Sequence, residues 1–300
     1  MSKLPAIPYM GSKRAIAEDL VKFLRTQNPN AKYFYDLFGG GGAVSIQALS
    51  QGFTVFYNEL NPRIANLMRF LKELKGKGLP MEWYDFVDRK KFFEIIKSDR
   101  TDAYAGMVEA CYSFGNNKEK GYLFGGDIEE IKMLCHNFVV FQSVDAQKAL
   151  ASKYNLNLEI PKQEKIYDRY LLGYKPQIKI RLDLQQLQQL ERLQQLEQLQ
   201  RLEQLQRLNI TNLSYKDVAI TTPIEDTIIY CDPPYRNTEK YTIGFDYKEF
   251  DDWFGSLPYK AYLSEYESPF NEIRSVKKRV TLQSDKKETL YKEEKLFCNK

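Results

Sequence analysis

Residues 228–235 read Ile228-Ile229-Tyr230-Cys231-Asp232-Pro233-Pro234-Tyr235, and the fold turns on how this stretch is parsed. Four apolar or aromatic residues make a short buried strand. The two prolines end it, because neither has an N–H to donate to a neighbouring strand. Asp232 therefore stands at the carboxyl end of a strand, where open α/β sheets place their ligands. The prolines stiffen the backbone beyond it and leave carbonyl oxygens able to accept. Tyr235 adds a flat ring beside a fixed carboxylate. Acceptors next to an aromatic face suit the holding of a planar base by its exocyclic amine. A strand followed by an ordinary proline turn is the alternative.

Two further strand-to-acid passages lie upstream. Tyr33-Phe34-Tyr35-Asp36-Leu37-Phe38 runs into Gly39-Gly40-Gly41-Gly42, and a helical pattern follows from Ala43 to Ser50. Adjacent glycines permit a tight turn and close backbone approach to a cofactor at a helix N-terminus. The loop is not GxGxxG, and no Lys-Ser/Thr pair makes it a phosphate loop. Thr54-Val55-Phe56-Tyr57 forms the next strand and ends in Asn58-Glu59-Leu60-Asn61-Pro62. An acid at the tip of the second strand, about twenty residues past a glycine loop, is where a ribose is gripped through its hydroxyls; a helix cap is the other reading of Glu59. Before these, Tyr9-Met10-Gly11-Ser12-Lys13-Arg14 precedes a helical pattern over 15–25. Gly11 and Ser12 suit either close approach to a ligand or a plain helix cap.

The composition bounds what else the chain can be. Three hundred residues can bury a sizeable core in one or two domains. The net charge of +4 is too mild to prove a nucleic-acid partner. The 21 Tyr and 18 Phe residues fit base stacking and an aromatic core equally. Four cysteines without a CxxC pair disfavour a zinc site or a disulfide framework, so no metal and a reducing cytosol are expected. With His136 the single histidine, a Ser-His-Asp triad has little to build on. No signal peptide or long apolar span is visible.

PYMGSK, DLFGGGGAV, NELN and CDPPY, in that order, resemble the Dam-like DNA adenine methyltransferases. The resemblance covers roughly residues 5–70 and 208–300. It implies an α/β protein: a Rossmann-like S-adenosylmethionine-dependent sheet with an inserted, mainly helical target-recognition domain. The implied chemistry moves a methyl group from S-adenosylmethionine to the N6 amine of adenine in double-stranded DNA, with the base flipped out of the helix. The implied catalytic residues are Asp232, Pro233, Pro234 and Tyr235. Tyr9 and Lys13 match the N-terminal cofactor motif. Asp36, Phe38, Gly39, Gly40 and Gly41 match the loop under the cofactor's methionine part. Glu59 stands where the family usually has Asp, one methylene longer, and Asp217 matches the position near the cofactor's adenine. Asp232 also borders the cofactor.

The expected organisation follows from these matches. Residues 1–69 form the first part of the catalytic domain, 70–182 the recognition domain, 183–208 a repeat tract and 209–300 the second catalytic part. Within the recognition segment, Asn116, Asn117, Lys118 and Lys120 are the DNA candidates, since Asn and Lys at a loop tip can read base edges and phosphates; a solvated polar turn is the alternative. Residues 168–181 are a second basic, aromatic stretch. The tract from Leu184 to Leu208 repeats leucine every three residues. Its composition favours a helix, with Glu197–Arg201 and Glu203–Arg207 in the stabilising order. A spacing of three drifts about 60° per leucine, so the stripe winds around the helix and a coiled coil is disfavoured. The family pattern is expected to skip this tract, which reads as an inserted arm or a neutral expansion.

The rivals are cytosine N4-methylation, which uses the same acceptors, and a DNA-binding homologue without catalysis. Cytosine enzymes of this kind more often carry Ser at the Asp232 position. A cytoplasmic monomer is expected, with a cognate restriction enzyme as a partner in some settings.

Overall fold

A computed structural model of the protein describes residues 3–116, 118–178, 186–236, 245–280 and 290–300. The chain divides into two compact units, one from Met1–Ser12 and Pro62–Gln206, the other from Lys13–Asn61 and Arg207–Lys300.

The second unit holds the sheet. Its strands are β1 (Tyr33–Asp36), β2 (Thr54–Asn58), β3 (Asn209–Thr211), β4 (Thr227–Cys231), β5 (Lys260–Glu265), β6 (Asn271–Val280) and β7 (Leu290–Cys298). They lie in the order β3-β2-β1-β4-β5-β7-β6. The first five are parallel, and β7 runs antiparallel between β5 and β6. All five residues of β4 are buried, as its unbroken apolar run requires. The sheet has the Rossmann-like architecture that the resemblance implies. The chain leaves β1 for β2 on one side and later returns to β4 on the other, so the strand order reverses between β1 and β4. Ligands of open α/β sheets bind at such a reversal.

Strand alternation assigns the two faces. Tyr35, Leu37, Ile229, Cys231, Ala261 and Leu263 pack with Phe250 and Phe254 of the Tyr247–Ser256 helix. Phe34, Asp36 and Tyr230 point the other way. Phe34 meets Phe53 and Tyr230 there, and Ser45 of the Ala43–Ser50 helix bonds Asp36. The first helix starts at Ala17 rather than Ala15, because Lys13–Ala15 make a 3-10 turn that buries the Lys13 side chain.

The first unit is helical; among its described residues the β structure is one isolated bridge, Ser113 to Tyr122. Its helices include Pro62–Leu74, Arg89–Lys97, Ala103–Tyr112, Gly126–Val140 and Val144–Tyr154. Gly106 lets the Ala103–Tyr112 helix approach the Pro62–Leu74 helix, since a Cβ there would stand 2.3 Å from the Arg63 carbonyl oxygen. Arg63 is a buried hub that donates to the carbonyls of Ile95, Ile96, Ser98 and Arg100.

The leucine tract forms the Gln188–Gln200 helix followed by a 3-10 turn, Glu203–Arg207. It is not an appendage. Leu187, Leu190, Leu193, Leu196 and Leu199 are all buried, and the helix packs against Ala103–Tyr112 and Pro62–Leu74. Four leucines at a spacing of three sweep about 180° of a helix, which suits an element covered from two sides. The polar residues between them bond inward. Gln189 reaches His136, Glu197 accepts from Leu79 N at 3.0 Å and pairs with Arg201, and Arg192 donates to the carbonyls of Cys111 and Ser113. His136 is a core histidine bonded to the Tyr84 carbonyl, and burial pushes its pKa down to about 4.

Candidate active site

The parallel strands end in acids. Asp36 is the last residue of β1, Glu59 follows β2, Asp232 follows β4 and Glu265 ends β5. Asp217 lies in an exposed 3-10 turn after β3. All of these belong to the sheet unit.

The glycine loop is folded against the end of β2. Gly39 N donates to Asn58 O at 2.7 Å, Gly42 N to Gly39 O at 2.7 Å and Gly40 N to Glu59 Oε2 at 2.7 Å. The Tyr57 hydroxyl donates to Gly40 O at 2.7 Å. Gly39 can be nothing larger, because a Cβ would sit 2.2 Å from the Tyr57 ring. Three N–H groups of the loop are thus already bonded to protein, so it is a poor phosphate cradle. Glu59 is more than a strand-tip acid: its other oxygen, Oε1, accepts from Asn61 N at 2.8 Å. Buried Asn58 bonds the Leu37 and Leu213 backbones and ties the ends of β1, β2 and β3 together.

Asp36 is buried, and its Oδ2 takes a hydrogen bond from Ser45 Oγ at 2.7 Å. Its Oδ1 has no hydrogen-bond partner among the described residues. Burial pushes its pKa up to about 7, opposed by the Ser45 bond and reinforced by the charges of Asp232 and Glu59. An orphaned acid inside an acidic cluster repels phosphate and favours a cation.

Asp232 is held by Lys13. The ammonium lies 2.7 Å from both carboxylate oxygens and 3.1 Å from Glu294 Oε1. Burial alone would lower the Lys13 pKa, but the Asp232 and Glu294 carboxylates beside it hold it above its ordinary value. Lys13 also sits 4.7 Å from the centre of the Tyr235 ring. The Tyr235 hydroxyl donates to Glu294 Oε1 at 3.0 Å, and Tyr266 meets that ring edge-on at 4.7 Å.

The turn after Asp232 is braced from β5 and from the Tyr247–Ser256 helix. Tyr247 donates its hydroxyl to Pro234 O at 3.1 Å. Arg236 N donates to Glu265 Oε2 at 3.0 Å, and its guanidinium pairs with Asp251 at 2.5 Å. The Pro233 carbonyl accepts no hydrogen bond among the described residues. Phe38 stacks on Tyr215 at 5.3 Å, beside Phe245 and Phe250.

A reversal of strand order flanked by a buried acid, Asp36, and a half-buried one, Asp232, and lined by aromatic rings is what the sequence comparison now explains. The family described as D12 class N6 adenine-specific DNA methyltransferase matches residues 9–158 and 185–297. The chain belongs to this family. No curated protein matches it. As an adenine-specific DNA methyltransferase it acts on DNA, and among its described residues no helix is long and apolar enough to cross a membrane. The second matched segment begins at residue 185, so the family pattern takes in the leucine tract instead of skipping it. That agrees with a tract whose side chains build a core.

The methyltransferase brings Lys13, Asp36, Phe38, Gly39, Gly40, Gly41, Glu59, Asp217 and Asp232–Tyr235 into one unit. Tyr9 falls in the helical unit, as do Asn116, Lys118 and Lys120; Asn117 lies outside the described residues. The loop carrying them is closed by Phe114 N to Gly121 O and Leu123 N to Tyr112 O. At its tip Lys118 faces Glu109 at 3.8 Å, Lys120 is exposed, and Asn116 takes a positive φ of 57°. Sequence reasoning missed Glu294, Glu265 and Asn58. Glu294 sits in Lys292-Glu293-Glu294-Lys295, which reads as an ordinary charged edge strand, and nothing local points it at a site more than fifty residues upstream.

Proposed function

We propose that S-adenosylmethionine is the methyl donor, and that Asp232 and the Pro233 carbonyl hold the amine of a flipped adenine. The reading is carried by two acids at the adjoining ends of β1 and β4, the buried Asp36 and the half-buried Asp232, with the Asp36 Oδ1 left unbonded among the described residues. The residues fit this cofactor. Its sulfonium and amino group are cations, which the acidic cluster favours, and it has no phosphate for the glycine loop to cradle. Asp36 and the Gly39–Gly41 loop would hold its methionine part, Glu59 its ribose, and Phe38 and Asp217 its adenine end. When bound, the cofactor supplies an electrophilic methyl group on a positive sulfur.

The protein's own part is to make a poor nucleophile available. The adenine N6 lone pair is delocalised into the ring. Two acceptors for its two hydrogens draw the nitrogen towards a tetrahedral shape and aim the lone pair. Positioning and oriented acceptors then supply most of the rate. Flipping the base costs a few kcal/mol, and stacking on Tyr235 returns roughly 1–3 kcal/mol. Asn116, Asn117, Lys118 and Lys120 read the DNA, on a loop whose neck Arg192 anchors. The enzyme acts as a monomer in a reducing cytoplasm, alone or beside a cognate restriction enzyme. Asp at position 232 favours adenine over cytosine as the target.

The cofactor assignment is tested at Glu59. Glu59→Ala is expected to weaken S-adenosylmethionine binding by about 1–3 kcal/mol, as for a lost hydrogen bond to a charged group. Glu59→Gln keeps an acceptor for Gly40 N and separates loop support from ribose binding. Unchanged affinity by calorimetry, in a folded Glu59→Ala protein, rules out the role.

A further inference from the structure

Glu294 stands on β7 at 5 % exposure. Its Oε1 accepts from the Tyr235 hydroxyl at 3.0 Å and lies 3.1 Å from Lys13 Nζ. Lys13 in turn covers both Asp232 oxygens and lies near the face of Tyr235. The four side chains close a ring, Asp232 to Lys13 to Glu294 to Tyr235. A buried carboxylate is costly to keep, and an apolar side chain of similar size serves a strand at least as well. The strand does not need an acid there for folding, so the chemistry beside it has to supply the reason.

We propose that Glu294 is a positioning residue of the methyl-transfer reaction, which pins the Tyr235 ring through its hydroxyl and offers Lys13 a second seat beside Asp232. The inference rests on the reading that Asp232 and Tyr235 hold the target base. A stacking platform has to keep one plane, and an acceptor at the phenol tip restricts the ring where the proline turn alone would not. The second part follows from occupancy. With the ammonium 2.7 Å from each Asp232 oxygen, an incoming amine must take over at least one of those contacts. The ammonium can shift towards Glu294 without becoming an unpaired buried charge, so the exchange keeps every charge compensated. A ring acting by stacking alone would lose little in Tyr235→Phe. Its bonded hydroxyl changes that expectation.

The test is single-turnover methylation of unmethylated plasmid DNA with saturating labelled S-adenosylmethionine. Glu294→Ala is expected to slow the chemical step by about 10²-fold, the scale of a misplaced reacting group. Its melting temperature should stay close to wild type and its cofactor affinity within about twofold. Glu294→Gln keeps an acceptor for the Tyr235 hydroxyl and is expected to recover about tenfold of that loss. Tyr235→Phe is expected to slow the wild type about tenfold and to cost clearly less in the Glu294→Ala background, where the hydroxyl keeps only Asp232 as a neighbouring acceptor. A purely structural role predicts losses that add and that follow the melting temperature. Glu294→Ala at the wild-type rate, Glu294→Gln no better than Glu294→Ala, or additive losses would each overturn the proposal. Asp232→Ala in the same assay separates the two readings. If it stays active, the reading of the base site fails; if it is inactive while Glu294→Ala is fast, only the role of Glu294 fails.

Discussion

Asp232→Ala is expected to slow methyl transfer by roughly two to three orders of magnitude, the effect of removing one well-placed acceptor from a water-poor site. The side chain lies beyond the last residue of β4, so the strand and its register with β1 and β5 do not depend on it. The substitution does leave Lys13 with one carboxylate instead of two, but Glu294 remains 3.1 Å away and keeps that ammonium paired. The fold should therefore survive while the amine loses its acceptor. Asp232→Asn is the finer test. It preserves the shape but turns one acceptor oxygen into a donor, which then faces either the ammonium or the adenine amine, two donors. Activity should fall part of the way. Circular dichroism and single-turnover rates measured on the same preparations distinguish loss of chemistry from loss of structure. A near wild-type rate in a folded Asp232→Ala enzyme removes the strand end from the mechanism.

Leu193→Ala is expected to cost about 2–5 kcal/mol of stability, the range for truncating a fully buried leucine. Leu193 is completely buried on a helix that packs against two others, so little collapse can fill the space. The exposed neighbour Gln198 on the same helix is the control, and Gln198→Ala should stay within about 0.5 kcal/mol. Urea unfolding measures both. Equal stability of Leu193→Ala and wild type would restore the view of the tract as a dispensable arm. Shortening the tract by whole repeats, harmless on that view, should instead disrupt the helical unit, because it removes Arg192, Glu197 and Gln189 along with the leucines.

These two sites show where the sequence was readable. Around β1, β2 and β4, each element declares itself within a few residues: an apolar run, an acid, then prolines or glycines. The Ala43–Ser50 helix falls at its expected bounds, and β4 ends at Cys231, beside Asp232, as the prolines demand. The leucine tract was legible as a helix but not as a core element. Spacing reports which residues are apolar, not how many sides of a helix will be covered. The ring about Asp232 was half legible. Asp232 and Tyr235 share one motif and Lys13 another, but their meeting with Glu294 is made by the position of β7 between β5 and β6. Contacts made by such a strand insertion have no signature in the local sequence. The bonds of Glu59 to Gly40 and Asn61 are a milder case: an acid at the strand tip stands out in the sequence, and its support of the glycine loop does not.

Product analysis tests most directly whether Asp232 holds an adenine amine for methylation. The enzyme is incubated with methyl-labelled S-adenosylmethionine and unmethylated DNA. The DNA is digested to nucleosides, and the label is assigned by chromatography. Label is expected in N6-methyldeoxyadenosine for the wild type, and its loss in an Asp232→Ala enzyme that still binds the cofactor by calorimetry. Label in N4-methyldeoxycytidine, or undiminished N6-methyldeoxyadenosine from the Asp232→Ala enzyme, would contradict that role of Asp232.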